Sequence, residues 1–245
     1  MRTAVVFDLF HTLVDTEHLR PPGFRTVDAV GEVIGAQPDR FAAFWATSYA
    51  ERETSMLELV DLVGDYCMLV GIDFDDHTRR EVDALFGRCR DDALRFPEPA
   101  MAELIAELAT RSSIGVLSNC DVREVREWDA SPYAEHVDVF GRSCEIGVMK
   151  PDVGSYRWVL ERLGVRADEA TFVGNGASNE LDGARAAGFG RIIHCNIFDA
   201  VNGLATPLEQ QQRARQADLS VNSIGELAAA LADTDPSWAT DEFSD

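Results

Sequence analysis

The chain has 245 residues, of which 46% are apolar, and a formal net charge of −21. The length suits a core with an insert rather than one small domain, and such acidity argues against binding nucleic acid or anionic membranes. No run of about 18 apolar residues is available to span a membrane, and Met1-Arg2 followed by a short apolar run does not read as a signal peptide, so a cytoplasmic protein is expected.

In chain order, Thr3 to Phe7 is a short apolar, β-rich run ending at Asp8, which reads as a buried central strand. A turn follows from Leu9 to about Asp15. Helical periodicity then takes over, through Val27, Val30 and Ile34, through Phe41, Phe44 and Trp45, and through Val60, Leu62 and Val63. A further helix is predicted over Thr78–Leu94. No strand interrupts this block, so residues 16–95 read as an all-helical insert, closed by the hinge Phe96-Pro97-Glu98-Pro99.

Alternating strands and helices resume after the hinge. A helix is predicted over Ala100–Thr110, a strand over Ile114–Leu117 that ends at Ser118-Asn119, and a short strand over Val137–Phe140. A helix over Val153–Leu163 is stopped by Gly164. The strand Thr171–Val173 ends at Gly174-Asn175, and the helix Glu180–Ala187 is closed by Gly188. Weaker strands at Arg191–His194 and Leu219–Val221 precede a last helix at Ile224–Leu231. The acidic tail 236–245 is expected to be disordered. This alternation predicts an α/β fold: a three-layer Rossmann-like core of residues 1–15 and 96–235, with a parallel sheet and right-handed crossovers. The five cysteines are scattered without a C-x-x-C pair, which argues for buried free thiols rather than disulfides or a zinc site.

Asp8, Ser118 and Asn175 each follow a predicted strand, and ligands of open parallel sheets bind at the carboxyl ends of the strands, near a switch point. A carboxylate at the tip of a buried strand costs desolvation energy unless it is compensated. It is either a turn-capping group or a nucleophile, carboxylates being established covalent catalysts.

The run Phe7-Asp8-Leu9-Phe10-His11-Thr12-Leu13 resembles the first motif of the haloacid dehalogenase (HAD) superfamily. Ser118 in Val116-Leu117-Ser118-Asn119 resembles its second motif and Lys150 in Lys150-Pro151-Asp152 its third. Phe172-Val173-Gly174-Asn175, followed by Glu180 and Gly183-Ala184, resembles the acidic fourth motif. Order and spacing match over nearly the whole chain, and the insert is similar to a helical C1-type cap. The resemblance implies a hydrolase in which Asp8 attacks and forms an aspartyl intermediate, Thr12 and Ser118 hydrogen-bond the nucleophile or the transferred group, and Lys150 neutralises charge. It also implies Mg²⁺, held by Asp8, the Phe10 carbonyl, Asn175 and Glu180, as a hard cation takes oxygen ligands. Phe10, His11 and Asn119 are the residues expected to contact a small, anionic substrate.

Two positions depart from the phosphatase pattern. Phe10 stands where HAD phosphatases usually carry an aspartate general acid, a loss worth about 10²–10⁴-fold in rate. Asn175 stands where the metal-binding aspartate is expected. A Mg²⁺-dependent phosphatase on a small phosphorylated metabolite is the first expectation. A metal-independent 2-haloacid dehalogenase-like hydrolase is the second, since halide leaves without a proton, and a weakly active or non-catalytic binding protein is the third. Tyr156 sits where dehalogenases carry a tyrosine. Those enzymes also carry a cap arginine just after a tryptophan, whereas Ala46 follows Trp45 here. Arg20, Arg25 and Arg40 are the alternatives for an anion clamp.

Overall fold

The structure is a computed structural model that describes residues 3–232. The tail expected to be disordered lies outside them. After β1 (Ala4–Phe7) come six helices, α1 (Thr26–Val33), α2 (Pro38–Thr47), α3 (Tyr49–Thr54), α4 (Leu59–Val70), α5 (Asp76–Gly87) and α6 (Arg90–Arg95). Then follow α7 (Pro99–Ala109), β2 (Ser113–Ser118), β3 (Val139–Arg142), α8 (Ser143–Ile146), α9 (Val153–Leu163), β4 (Ala170–Gly174) and α10 (Glu180–Ala187). The chain continues with β5 (Arg191–Cys195), α11 (Ile197–Asn202), α12 (Pro207–Gln216), β6 (Leu219–Val221) and α13 (Ile224–Ala232). None of these helices is long and apolar enough to cross a membrane.

The six strands form one parallel sheet in the order β3-β2-β1-β4-β5-β6. Phe7 is level with Val116 on one side and with Val173 on the other. The order therefore reverses between β1 and β4, which opens a crevice at their carboxyl ends. Both faces of the sheet are buried, as a parallel sheet requires. Val5, Phe7, Ile114, Val116, Val173 and Ile193 pack on one side with residues of α7 and α13. Ala4, Val6, Leu117, Phe172 and Ile192 pack on the other with α9 and α10. The split follows the two-residue period of a strand. The helices inserted after β1 have their own cluster, in which Phe41 meets Tyr66 at 5.0 Å and Trp45 stacks on Phe86 at 5.1 Å. All five cysteines are free and buried.

Two expectations need correction, and two helices were not foreseen. The helix predicted over Thr78–Leu94 is broken between Gly87 and Arg90. Arg123 reaches across from the loop after β2 to pair with Asp91 at 2.6 and 2.8 Å and with Asp83 at 3.1 Å. Its guanidinium runs where a side chain at position 87 would stand, so glycine is needed there. The strand expected at Val137–Phe140 starts two residues later, because the Asp138 backbone N–H donates to the Ile114 carbonyl and its carboxylate accepts from the Ile114 N–H. The helices α11 and α12 went unread, and α12 proves relevant to the site.

Tyr133 ties the loop after β2 to the loop after β1: its buried hydroxyl donates to the Leu13 carbonyl at 2.8 Å. Tyr133→Phe should cost about 1–3 kcal/mol, because the carbonyl then loses its partner. A urea midpoint unmoved by this change would show that water replaces the hydroxyl.

Candidate active site

The Asp8 backbone N–H donates to the Val173 carbonyl at 2.8 Å, so the residue is pinned where β1 and β4 part. The chain then curls tightly: the Leu9 carbonyl accepts from the N–H groups of Leu13 and Val14. His11 takes a φ of 63° in this curl, a left-handed backbone that histidine tolerates better than most residues. The curl returns Thr12 to Asp8, and its hydroxyl donates to Asp8 Oδ2 at 2.8 Å.

Lys150 supplies the countercharge. Its ammonium donates to Asp8 Oδ1 and, at 2.6 Å, to Glu180 Oε2. Asn119 holds this lysine by its backbone: the amide oxygen accepts from Lys150 N at 2.7 Å and the amide nitrogen donates to Lys150 O at 2.9 Å. Asn119, expected to contact substrate, thus directs both halves of its amide to positioning Lys150. The Ser118 hydroxyl is buried and bonds the Asn119 carbonyl at 3.3 Å rather than Asp8. Phe10 is half-buried with its ring 5.7 Å from the Arg90 guanidinium. His11 Nδ1 is buried without a partner among the described residues.

The electrostatics follow from burial. Desolvation pulls the Lys150 ammonium down, but Asp8 and Glu180 outweigh it, and its pKa lies above the ordinary lysine value. Burial, helped by the charge of Asp8, pushes the Glu180 carboxyl up to about 7. Glu180 is held at its other oxygen by the Gly176 N–H at 2.9 Å, and the Tyr156 hydroxyl donates to its backbone carbonyl at 2.7 Å. A side chain at Gly174 would run into the Glu180 carboxyl. Tyr156 is fully buried between Phe172 and Phe189, so its role is to place Glu180.

The Asn175 side chain faces Asp199, whose two oxygens each lie 3.2 Å from its amide nitrogen. A carboxylate has only acceptors there, so the amide must present its NH₂, which leaves its oxygen to accept from Ala177 N at 3.1 Å. Arg213 completes the group, donating to Asp199 at 2.6 Å and to the Asn175 carbonyl at 3.2 Å. Asp199 and Arg213 come from α11 and α12, the unread helices. Their signal was nonetheless present: Thr206-Pro207-x-Glu209 is a capping box with proline at the first helical position.

This arrangement does not fit the donor set implied for Mg²⁺. Asn175 turns its amide to Asp199 and Ala177, while Glu180 gives its two oxygens to Lys150 and Gly176. Asp8 itself is shared between Lys150 and Thr12. The described residues hold one group of three acids with oxygens within 4.8 Å of one another, and it is elsewhere: Glu53, Asp121 and Glu124.

Those three acids line a cavity of about 350 Å³ under the inserted helices, together with Arg20, Arg25, Arg52 and Arg90. Two of the three proposed anion-clamp arginines therefore line it. Arg40 is exposed and does not. Although Ala46 follows Trp45, an arginine does reach the indole: the Arg52 guanidinium lies 4.1 Å from its centre.

A parallel sheet of this order, a helical block inserted after its first strand, and a buried carboxylate–lysine pair at the switch point define a capped α/β protein with a candidate active site there. A family model described as haloacid dehalogenase-like hydrolase matches residues 3–188, and the chain belongs to that family. No curated protein matches the chain. Among solved structures, it resembles L-2-haloacid dehalogenase from Xanthobacter autotrophicus at 20% identity and a TM-score of 0.55, over 95% of this chain and 99% of that one. A HAD phosphatase from Thermococcus onnurineus gives 20% and 0.58 over 94% and 97%. A 2-haloacid dehalogenase from Pseudomonas syringae pv. Tomato gives 23% and 0.57 over 95% and 99%. At these identities the likeness concerns the fold, which both kinds of enzyme share.

Proposed function

We propose that the chain is a metal-independent hydrolase in which the Asp8 carboxylate displaces a leaving group that departs as an anion without a proton, as halide does from a 2-haloacid. The observation that carries this reading is the pairing of Phe10, which cannot protonate a leaving group, with Asn175, whose amide is committed to Asp199. An Asp8 oxygen attacks the carbon, the carbon–halogen bond breaks, and the halogen leaves with the electron pair. Water then adds to the Asp8 carboxyl carbon of the ester, and the hydroxy acid departs with the original Asp8 oxygen. Lys150 holds Asp8 Oδ1 in place during the attack and balances the oxyanion that forms on this carboxyl group when water adds. In this reading Glu180, whose carboxyl burial pushes up to about 7, takes the proton from water.

A Mg²⁺-dependent phosphatase acting on a small phosphorylated metabolite is the second reading. It is favoured by the acidic loop after β4, which sets Glu180 across Lys150 from Asp8. It requires Asn175 to leave Asp199 and Glu180 to leave Lys150.

A single-turnover reaction in ¹⁸O-water tests the choice, with 2-chloropropionate in chelator and with p-nitrophenyl phosphate in Mg²⁺. Ester hydrolysis at the carboxyl carbon places the label in Asp8, read by peptide mass spectrometry. Metal-dependent phosphate release with the label in phosphate, and no halide release, would sink the first reading in favour of the second.

A further inference from the structure

The cavity between the inserted helices and the sheet carries a charge arrangement that Asp8 chemistry does not use. Tyr49, Arg52 and Glu53 reach it from α3, Arg90 from α6, and Asp121 and Glu124 from the loop that follows Ser118. The cavity adjoins the candidate active site, because Arg90 also lies over the ring of Phe10, two residues beyond Asp8.

Glu53 is the telling member. It is only 6% exposed, and among the described residues its carboxyl has neither a hydrogen bond nor an ion pair. Asp121, 4% exposed, receives the N–H groups of Arg123 and Glu124 on one oxygen and leaves the other free. Glu124 is paired with Arg90. Burial of an acid without a partner is strongly unfavourable. Here burial, then the neighbouring carboxylates, push Glu53 up to about 8 and Asp121 up to about 7. This pocket is therefore built for something that supplies positive charge.

The charge count says what. The three acids offer oxygens within 4.8 Å of one another, so one cationic group can reach all three. Three carboxylates face two guanidiniums, Arg52 and Arg90. With all three acids ionised the remainder is one negative charge, which a proton on Glu53 or one monovalent cation balances and a divalent ion overshoots. Arg20 and Arg25, on the same wall, are already paired with Glu17 and Asp28.

We propose that this cavity takes the protonated amine of an amino-bearing substrate, with Glu53, Asp121 and Glu124 accepting its N–H bonds. The word substrate rests on the reading of Asp8 as a hydrolytic nucleophile; the amine site itself does not.

Calorimetric titration of the full-length Asp8→Asn protein near pH 7.5 tests the site apart from the chemistry. The probes are 3-aminopropionate, 3-hydroxypropionate and propionate. The amine is expected to bind at least about ten-fold more tightly than either analogue, with protons released, seen as a heat that varies with the buffer's ionisation enthalpy. Glu53→Gln should abolish both the preference and the proton release, and Asp121→Asn provides the same check should the first variant fold poorly. Equal binding of the three probes, absence of amine binding, or a preference that survives both substitutions would overturn the proposal. So would Ca²⁺ or Mg²⁺ binding that the Glu53 variant loses, which would make this a metal site. Amine binding without halide or phosphate release from the unmutated chain would leave this inference standing and remove the reading of Asp8.

Discussion

Lys150→Met is expected to abolish turnover, by at least about 10³-fold, and to destabilise the protein by about 3–5 kcal/mol near pH 8. The lysine is the shared partner of two buried carboxylates, Asp8 and Glu180. Methionine matches its stem but leaves both acids facing each other without a countercharge, and one of them must then take up a proton. The effect has a signed pH dependence. Glu180 titrates at about 7 in the folded protein, above its ordinary value of 4.5. An acid whose folded pKa is raised binds its proton more tightly when folded, so stability is highest below the ordinary value and falls as pH rises through about 7. Removing Lys150 raises Glu180 further and extends that fall to higher pH. Urea midpoints of both proteins at pH 5.5 and 8.5 should differ more at the alkaline end. A uniform loss at both would show that Lys150 acts by packing alone.

Asn175→Asp should cost about 2–4 kcal/mol near pH 8 in chelator. The new carboxylate would replace an amide nitrogen that lies 3.2 Å from both oxygens of Asp199, and Asp199 is 1% exposed. Among the described residues Arg213 is the one cation bonded to Asp199, and it cannot neutralise two buried acids in contact. Thermal unfolding with chelator and with excess Mg²⁺ separates two outcomes. Loss of stability in both conditions supports Asn175 as a structural partner of Asp199. Recovery in Mg²⁺ together with new phosphate release would instead mark a metal site that one substitution restores, and would bring the phosphatase reading forward.

The central strands and the helices that follow them were legible in the sequence because buried apolar runs place them and glycine stops them: Thr171–Val173, Val153–Leu163 and Glu180–Ala187 fall in β4, α9 and α10. Asp8 and Thr12 were legible because their motif follows the end of β1, and Lys150 because it stands just before the proline and capping aspartate that open α9. Asn119 was misjudged because its side chain serves a backbone 31 residues away, a pairing that no local pattern encodes. Asp199 and Arg213 were missed for a similar reason. Helix α12 buries none of its residues, so it lacks the apolar stripe by which helices are recognised. Glu53, Asp121 and Glu124 look in sequence like ordinary surface acids, and only the folded chain brings them together.

The strand order bears on how the chain is made. β1 leaves the ribosome first, but its two neighbours are β2 and β4, whose residues follow more than a hundred positions later. During that interval the strand that leads into Asp8 has no sheet to join. The helices between β1 and β2 have a cluster of their own, from Val30 to Phe86, and can collapse while translation continues. Once they have done so, the gap that β1 must close is shortened, which lowers the loop entropy set against a long-range parallel pairing. In this view the insert that covers the finished site also serves, earlier, as a spacer that brings the first strand back to the second.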